Sequence, residues 1–312
     1  MYQINRKRYI PFLEVPVVEH CNLNCELCNS HASYIDSSTY DFEQFKRDVD
    51  IIERSVHYGM ITFLGGEPLL NTRLWEYISY AKSRNLGEIY RVLTNGILLR
   101  EADVKVYEEA DVIEVSHYPE CKESVQEMKK FLKQQSRVYK FTYYIKDIKY
   151  FNQVDTTNLS KEEAQKGYES CDQIRMGNLI FNGYYFKCMR PKTTQIYLKK
   201  SCGIELEGNM AEEDGLKIEP EHFGADLEAY LSKKTMMKAC QYCLMGKEES
   251  IRCVILAKHF GFMHPIILKL YYHHFFIYHT YKKIKKMIQV DEAISSKKGS
   301  MVLKKHRVLK NR

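Results

Sequence analysis

The chain has 312 residues, of which 45% are hydrophobic and 28% are charged, with a net charge of +7 and ten cysteines. This length suits one full domain plus a smaller one, and the composition is that of an ordinary globular protein. The first ten residues lack the apolar stretch of a signal peptide, and no apolar run predicts a membrane span. Ten cysteines without an export signal favour metal or cluster chemistry over disulfides.

The positive charge is concentrated at one end of the chain. Residues 254–312 contain 13 Lys and Arg against two acidic residues, a net of +11, which leaves −4 on the rest. A mildly acidic body is not typical of a nucleic-acid-binding protein. We therefore expect no nucleic-acid partner.

Three cysteines follow the first apolar segment of the chain. Cys21, Cys25 and Cys28 have C-x3-C-x2-C spacing in a short polar loop. Three thiolates this close can converge on one iron–sulfur cluster and leave one iron without a protein ligand. Such an open position lets a metal centre take up a substrate. The alternative is a zinc site, with its fourth ligand from His20 or His31.

Helices and strands are predicted to alternate after this loop. The predicted helices are Asp41–Tyr58, Thr72–Arg84, Ala102–Glu109 and Ser124–Lys133, and the predicted strands are Ile61–Leu64, Ile89–Leu93, Val112–Ser116 and Tyr139–Ile145. This alternation favours an α/β fold with a parallel sheet, and right-handed crossovers would curve that sheet into a barrel or an arc of one. A sixth parallel strand is expected within residues 149–154.

Polar and glycine-rich motifs stand at successive strand ends. The apolar segment before the cysteines, Phe12–Val18, is taken as the first strand. Gly65-Gly66-Glu67-Pro68 then follows the second strand, Thr94-Asn95-Gly96 follows the third, and Ser116 ends the fourth. Each motif alone could be a turn. Because the C-terminal ends of parallel strands meet on one face of a βα barrel, their ordered recurrence favours a functional site.

The cysteine loop after a first strand, with Gly-Gly-Glu-Pro after a second, resembles the radical S-adenosylmethionine (SAM) superfamily over about residues 10–145. One departure is Leu27, where many members carry an aromatic residue. The resemblance implies a partial six-stranded (β/α) barrel and a [4Fe–4S] cluster on Cys21, Cys25 and Cys28. SAM would bind its open iron and be split reductively into methionine and a 5′-deoxyadenosyl radical. The resemblance places these residues beside SAM: Gly65, Gly66, Glu67, Pro68, Thr94, Asn95 and Ser116. It also implies a flavodoxin- or ferredoxin-type reductant.

Four further cysteines form a second set: Cys171, Cys188, Cys240 and Cys243. An Asn-Gly pair at residues 182–183, between apolar strands, predicts a hairpin that carries Cys188 to its end. A helix is predicted over Ala225–Leu231, ahead of the last pair. Four thiolates are enough for a closed site, which could hold a structural zinc or a [4Fe–4S] cluster.

The spacing C-x11-G-x4-C followed by C-x2-C resembles the twitch domain, the shortened form of the SPASM domain. The resemblance implies one auxiliary [4Fe–4S] cluster with full protein ligation, with Cys202 as the rival ligand. The predicted organisation is a barrel over residues 1–165, a twitch-like domain over 166–247 and a helical basic tail over 248–312. Cys121 and Cys253 are interpreted as free thiols.

The tail combines an aromatic stretch, Ile266–Phe276, with the polybasic residues Lys282, Lys283, Lys285 and Lys286. This pattern suits an anionic membrane surface. The alternative is a terminal helix packed on the barrel with a solvated basic end. We expect a cytoplasmic protein whose tail is a candidate contact to the inner membrane face, and a disordered end over residues 295–312.

Carbohydrate is the first prediction for the substrate, because similar twitch-bearing proteins include aminoglycoside dehydrogenases and dehydratases. The reaction would be hydrogen abstraction leading to dehydrogenation, dehydration or epimerisation. Peptide modification is the second hypothesis, although peptide-modifying relatives often carry a leader-binding domain that is not predicted here. A zinc-stapled binding or scaffold protein is the alternative of another class.

Overall fold

The computed structural model describes residues 3–4, 7–25, 28–118, 121–148, 155, 159–176 and 178–244. The strands in these residues are β1 (Gln3–Ile4), β2 (Lys7–Val18), β3 (Val56–Gly65), β4 (Gly87–Thr94), β5 (Val112–His117), β6 (Thr142–Asp147), β7 (Leu179–Phe181), β8 (Tyr184–Phe186) and β9 (Leu216–Lys217). The α-helices are α1 (Phe42–Ile52), α2 (Leu74–Ser83), α3 (Val104–Glu109), α4 (Val125–Tyr139), α5 (Lys161–Ser170), α6 (Asp172–Met176), α7 (Arg190–Cys202), α8 (Met210–Asp214) and α9 (Phe223–Ser232). The expected sixth strand at 149–154 and the basic tail lie outside the described residues.

The strands form one sheet in the order β6-β5-β4-β3-β2-β7-β8-β9, with β1 paired to β2. Strands β2 to β6 pair in parallel, as the alternation of helices and strands predicts. In the described part of the chain the sheet is an open arc, which ends at β6 on one side and at β9 on the other. The mixed α/β architecture is confirmed. No helix of the described residues is long and apolar enough to cross a membrane.

The first helix is shorter than predicted. Asp41 begins α1 by accepting a hydrogen bond from the backbone N–H of Gln44 at 2.7 Å, and the buried face includes Phe45 and Ile52. The apolar spacing continues to residues 56 and 58, but those residues belong to β3, paired in parallel with β2. They satisfy the period of a strand as well as that of a helix, and the neighbouring strand decides between the two.

The boundary between α4 and β6 also differs from the prediction. Ser124 and Glu127 form a capping box that starts α4, and the helix runs to Tyr139. Lys140 ends it in the left-handed conformation at φ 66°, so β6 begins only at Thr142. Tyr139 stacks on Tyr107 of α3, with 5.9 Å between ring centroids. Tyr139 is therefore the last residue of α4, packed against α3, and not the first residue of the predicted strand.

The hairpin predicted from Asn182-Gly183 is confirmed. Both residues have positive φ, 44° and 83°, as a two-residue hairpin turn requires. The hairpin does not stand apart from the barrel strands, because β7 pairs in parallel with β2, where Leu179 lies opposite Glu14. Cys188 follows two residues after the end of β8.

Candidate active site

A cavity of about 380 Å³ lies at the C-terminal ends of strands β2 to β5. It is lined by all seven cysteines that the sequence identifies as candidate metal ligands: Cys21, Cys25, Cys28, Cys171, Cys188, Cys240 and Cys243. It is also lined by five of the seven residues that the resemblance places beside SAM: Gly65, Gly66, Thr94, Asn95 and Ser116. The two cysteine sets, which are distant in sequence, therefore face the same cavity as the residues at the strand ends.

The first cysteine loop is held by short-range polar contacts. The backbone N–H of Leu23 donates to Cys21 Sγ at 3.4 Å, and Asn95 Nδ2 lies 3.7 Å from the same sulfur. Cys28 Sγ lies 3.1 Å from Ser30 Oγ. Burial raises the pKa of Cys21 to about 12. The thiolate form of this cysteine therefore needs a positive centre to stabilise it, as a bound metal would do.

The second cysteine set is assembled from three separate segments. Cys171 follows α5, Cys188 follows β8, and Cys240 lies in a 3-10 turn over Lys238–Tyr242 that leads to Cys243. Burial raises the pKa of Cys188 well above its usual value, and the charges of the other three thiolates raise it further. Four thiols that repel one another when ionised fit a cationic metal centre.

Asp214 fixes the turn that carries Cys240. Its carboxylate accepts hydrogen bonds from the backbone N–H groups of Lys238 and Ala239, at 2.7 and 2.8 Å. Gln195, on α7, accepts a hydrogen bond from the backbone N–H of Met210 at 3.0 Å and so holds the start of α8. The second set thus depends on tertiary contacts as well as on its own spacing.

The histidines considered as zinc ligands are engaged elsewhere. His20 Nδ1 lies 3.3 Å from the backbone of Ser38. His31 is buried, with Nδ1 3.0 Å from Thr193 Oγ1 and Nε2 2.9 Å from Asp155 Oδ1. As the side chains stand, the described residues contain no group of three or more His, Cys, Asp or Glu arranged to hold a single metal ion.

Glu67 ties together the ends of β3 and β4. Its side chain is fully buried and accepts hydrogen bonds from Thr94 Oγ1 at 2.6 Å, Asn95 N at 2.7 Å and Leu69 N at 3.1 Å. Asn95 in turn donates to Asn22 Oδ1 at 2.7 Å, within the cysteine loop. Glu67 and Pro68 do not line the cavity. The Glu67 side chain instead holds Thr94 and Asn95, which do.

Gly66, directly after β3, permits a close approach to the cysteine loop. A Cβ atom at this position would lie 2.0 Å from the backbone O of His20 and 2.8 Å from the backbone N of Cys21. Contacts this short with backbone atoms cannot be relieved by a side-chain rotation. Only glycine therefore fits between the two segments.

We expect Gly66→Ala to displace the cysteine loop and to lower iron incorporation at the first site by at least about half, through strain of the order of overpacking. Iron content after reconstitution measures this. Gly224→Ala is the matched control, because the nearest atom to its Cβ is the rotatable hydroxyl of Ser55. Equal iron in the two variants would contradict the role given to Gly66.

A buried polar network connects the two cysteine sets. Arg190 Nη1 lies 2.7 Å from Asp155 Oδ1 and 2.8 Å from His31 Nε2. His31 follows the first cysteine loop, and its ring stacks on Tyr197 of α7. Asp155 forms an isolated bridge with Cys243. Arg190 is 7% exposed, and its Nη2 has no hydrogen-bond acceptor among the described residues although the side chain lines the cavity.

Several polar side chains near the strand ends and the second cysteine set are also candidates for substrate contacts, since hydroxyls of a carbohydrate need hydrogen-bonding partners. They separate into two groups. Tyr118 lines the cavity, whereas His117, Tyr143 and Tyr144 do not. His117 instead bonds the backbone O of Glu123 at 2.8 Å. Cys121 and Cys202 are outside the cavity lining. Glu120 and the side chain of Arg175 lie outside the described residues.

Two features of the site were not predicted from the sequence. Glu14 lines the cavity from within β2. Its only signal was a lone acid within an apolar strand. The contact of Asp155 with His31 and Arg190 had no local signal, because it joins residues far apart in sequence.

Residues 15–153 match the model of the Radical SAM superfamily. The chain therefore contains a radical SAM superfamily domain, which its first cysteine loop and the Gly-Gly-Glu-Pro motif predict.

Three curated proteins are similar to part of this domain. An uncharacterized protein of Methanocaldococcus jannaschii is 33% identical over 103 residues, which are 32% of this chain and 35% of that protein. The tungsten-containing aldehyde ferredoxin oxidoreductase cofactor-modifying protein of Pyrococcus furiosus is 29% identical over 102 residues, 32% of this chain and 28% of that protein. The 7,8-dihydro-6-hydroxymethylpterin dimethyltransferase of M. jannaschii is 32% identical over 100 residues, 31% of this chain and 19% of that protein. The match spans about a third or less of each relative.

Two solved structures are similar at low identity. BtrN in complex with AdoMet and 2-DOIA has a TM-score of 0.44 and 15% identity, covering 73% of this chain and 84% of that one. His-tagged anSMEcpe with bound AdoMet has a TM-score of 0.37 and 18% identity, covering 62% and 58%.

Proposed function

We propose that this chain is a radical SAM enzyme that abstracts hydrogen from a carbohydrate-type substrate and carries a second, auxiliary [4Fe–4S] cluster. The observation that supports this most directly is the single cavity lined by both cysteine sets and by the motif residues at the strand ends. A cluster on Cys21, Cys25 and Cys28 would supply the electron that splits SAM into methionine and a 5′-deoxyadenosyl radical. Cys171, Cys188, Cys240 and Cys243 would hold the auxiliary cluster.

The residues at the strand ends offer complementary contacts to SAM. Thr94 and Asn95 are fixed by the buried carboxylate of Glu67, so their positions are set before any ligand binds. Gly65 and Gly66 let a ligand approach the backbone closely, and Ser116 contributes a hydroxyl to the same lining. Preorganised polar groups of this kind bind and orient a small molecule without the cost of ordering the groups that hold it.

Two further side chains suit a polar substrate. Burial, together with the nearby thiolates, raises the pKa of Tyr118, which therefore keeps its phenolic proton as a hydrogen-bond donor. Arg190 adds a permanent positive charge to the cavity lining, which favours an electron-rich oxygen of the substrate, such as a hydroxyl, carboxylate or phosphate oxygen.

The radical reaction is tested by incubating the anaerobically reconstituted protein with dithionite and SAM. We expect 5′-deoxyadenosine from the wild type and none from Cys25→Ala, because the variant loses a ligand of the open-site cluster. A colourless zinc-containing protein that makes no 5′-deoxyadenosine would support the scaffold alternative and overturn the proposal.

The substrate class is tested by adding panels of compounds to the same reaction. Nucleotide sugars and lipid-linked glycans form one panel, and peptides form the other. A true substrate should raise 5′-deoxyadenosine formation and pass deuterium from its C–H position into that product. Stimulation by peptides alone would overturn the carbohydrate assignment and leave the radical chemistry intact.

A further inference from the structure

One buried lysine lies directly beside the second cysteine set. Lys187 follows β8, immediately before Cys188, and only 2% of it is exposed. Its ammonium group donates to the hydroxyl of Tyr168 at 2.8 Å and to the backbone O of Lys233 at 3.0 Å. Tyr168 in turn packs in one small cluster with Cys188 and Cys240. The positive charge of Lys187 is thus held among the packed side chains next to the second set.

The charge of Lys187 has no counter-ion among the acids of the described residues. Both acceptors of its ammonium group are uncharged, and no carboxylate in this part of the chain forms an ion pair with it. A buried ammonium without a negative partner is costly to the folded state. The other buried cation beside the second set, Arg190, has Asp155 at 2.7 Å. Because Lys187 does not line the cavity, a bound substrate does not supply its counter-charge either.

The thiolates of the second set are the negative groups close to Lys187. Burial lowers the pKa of its ammonium group and the charge of Lys233 lowers it further, whereas the charges of Cys240 and Cys188 raise it. A [4Fe–4S] core held by four thiolates is a net anion, and reduction adds one more negative charge. A fixed cation nearby therefore stabilises the reduced state more than the oxidised state, and the low dielectric of a buried site strengthens the effect.

We propose that Lys187 raises the reduction potential of the auxiliary cluster, by holding a positive charge that no acid balances beside Cys188 and Cys240. This inference rests on the auxiliary cluster of the proposed function and names the residue that tunes it. The potential rises because the charge favours the form of the cluster that carries one more electron. Since Lys187 lies outside the cavity lining, its charge sets the potential without contacting a substrate.

The test measures the midpoint potential of the auxiliary cluster in a parent protein, the full chain with Cys21, Cys25 and Cys28 replaced by Ala, so that only the second set holds iron. A mediated redox titration followed by electron paramagnetic resonance reports the potential of the loaded chains, whatever their fraction. In Lys187→Met we expect the potential to fall by at least about 59 mV, a tenfold loss in the one-electron equilibrium constant for reduction. Lys187→Gln, which is neutral but can still donate hydrogen bonds, should give the same fall.

Lys187→Arg, which keeps the charge, should stay close to the parent protein. Lys234→Met is the matched control and should cause no shift, because Lys234 is exposed and its charge is screened by water and salt. An unchanged potential in both neutral variants, or an equal fall in Lys187→Arg, would overturn this inference alone. So would loss of the iron from both neutral variants, which would make Lys187 a requirement for assembly of the site. A parent protein without iron would overturn the auxiliary cluster of the proposed function, and this inference with it.

Discussion

Replacement of Cys21, Cys25 and Cys28 together by Ala should lower the iron content of the reconstituted protein from about eight to about four atoms per chain. These three thiols and the four thiols of the second set all line the cavity. Loss of the first set leaves the second intact, since Cys171, Cys188, Cys240 and Cys243 come from other segments. Formation of 5′-deoxyadenosine should fall to background. Iron analysis and electron paramagnetic resonance of the reduced protein measure the two effects.

Cys202→Ala is the matched control for this experiment. Cys202 is the last residue of α7 and does not line the cavity, so its removal should cost no iron. If Cys202→Ala loses about four irons, this cysteine replaces a ligand of the auxiliary cluster. If the triple variant keeps its full iron content, the assignment of the first site is wrong.

Glu67→Ala should be the most destabilising single substitution near the site. It removes a buried acceptor from three donors, Thr94 Oγ1, Asn95 N and Leu69 N. Each buried donor left without an acceptor costs about 1–3 kcal/mol, so we expect the free energy of unfolding to fall by about 3 kcal/mol or more. SAM binding should weaken as well, because Thr94 and Asn95 lose their anchor. Chemical denaturation and equilibrium binding of SAM measure these effects.

Glu76→Ala is the control for that loss. Glu76 is bonded to Arg73 on the exposed side of α2, and surface pairs contribute less than about 1 kcal/mol.

The pH dependence of stability gives a second check on Glu67. Burial raises the pKa of Glu67 to about 7, so between its unfolded value and about 7 the folded state binds a proton that the unfolded state does not. Stability from this group should therefore fall as the pH rises through that window, and Glu67→Gln should remove this dependence. A pH dependence of the free energy of unfolding that is unchanged in Glu67→Gln would contradict the raised pKa of Glu67.

The parts of the fold that the sequence predicted correctly have local signals. The Asn182-Gly183 pair requires positive φ at both residues and so specifies a hairpin by itself. The Gly-Gly-Glu-Pro motif correctly predicted the end of β3, because glycine and proline are typical of turns. The seven candidate cysteines could be named from spacing alone, and the structure brings them to one cavity.

The parts that could not be predicted depend on contacts between distant residues. The end of α1 is decided by the pairing of β3 with β2, because the apolar pattern near residue 56 fits both a helix and a strand. The contacts of Arg91 with Thr62 and Glu114 form only once β4 lies between β3 and β5. Arg190 could be proposed as a substrate contact from its position beside Cys188, but its pairing with Asp155 and His31 could not.

The pairing of β7 with β2 has a consequence for the order in which the molecule can be assembled. The partner of the first long strand is residues 179–181, so one edge of β2 stays without its neighbour until more than half of the chain has been synthesised. Contacts this distant in sequence slow folding, and an open strand edge invites pairing with other chains. The first cysteine loop is made early, yet the sheet that supports it closes late. We therefore expect this protein to mature after translation, with the proposed clusters entering a chain whose sheet is already complete.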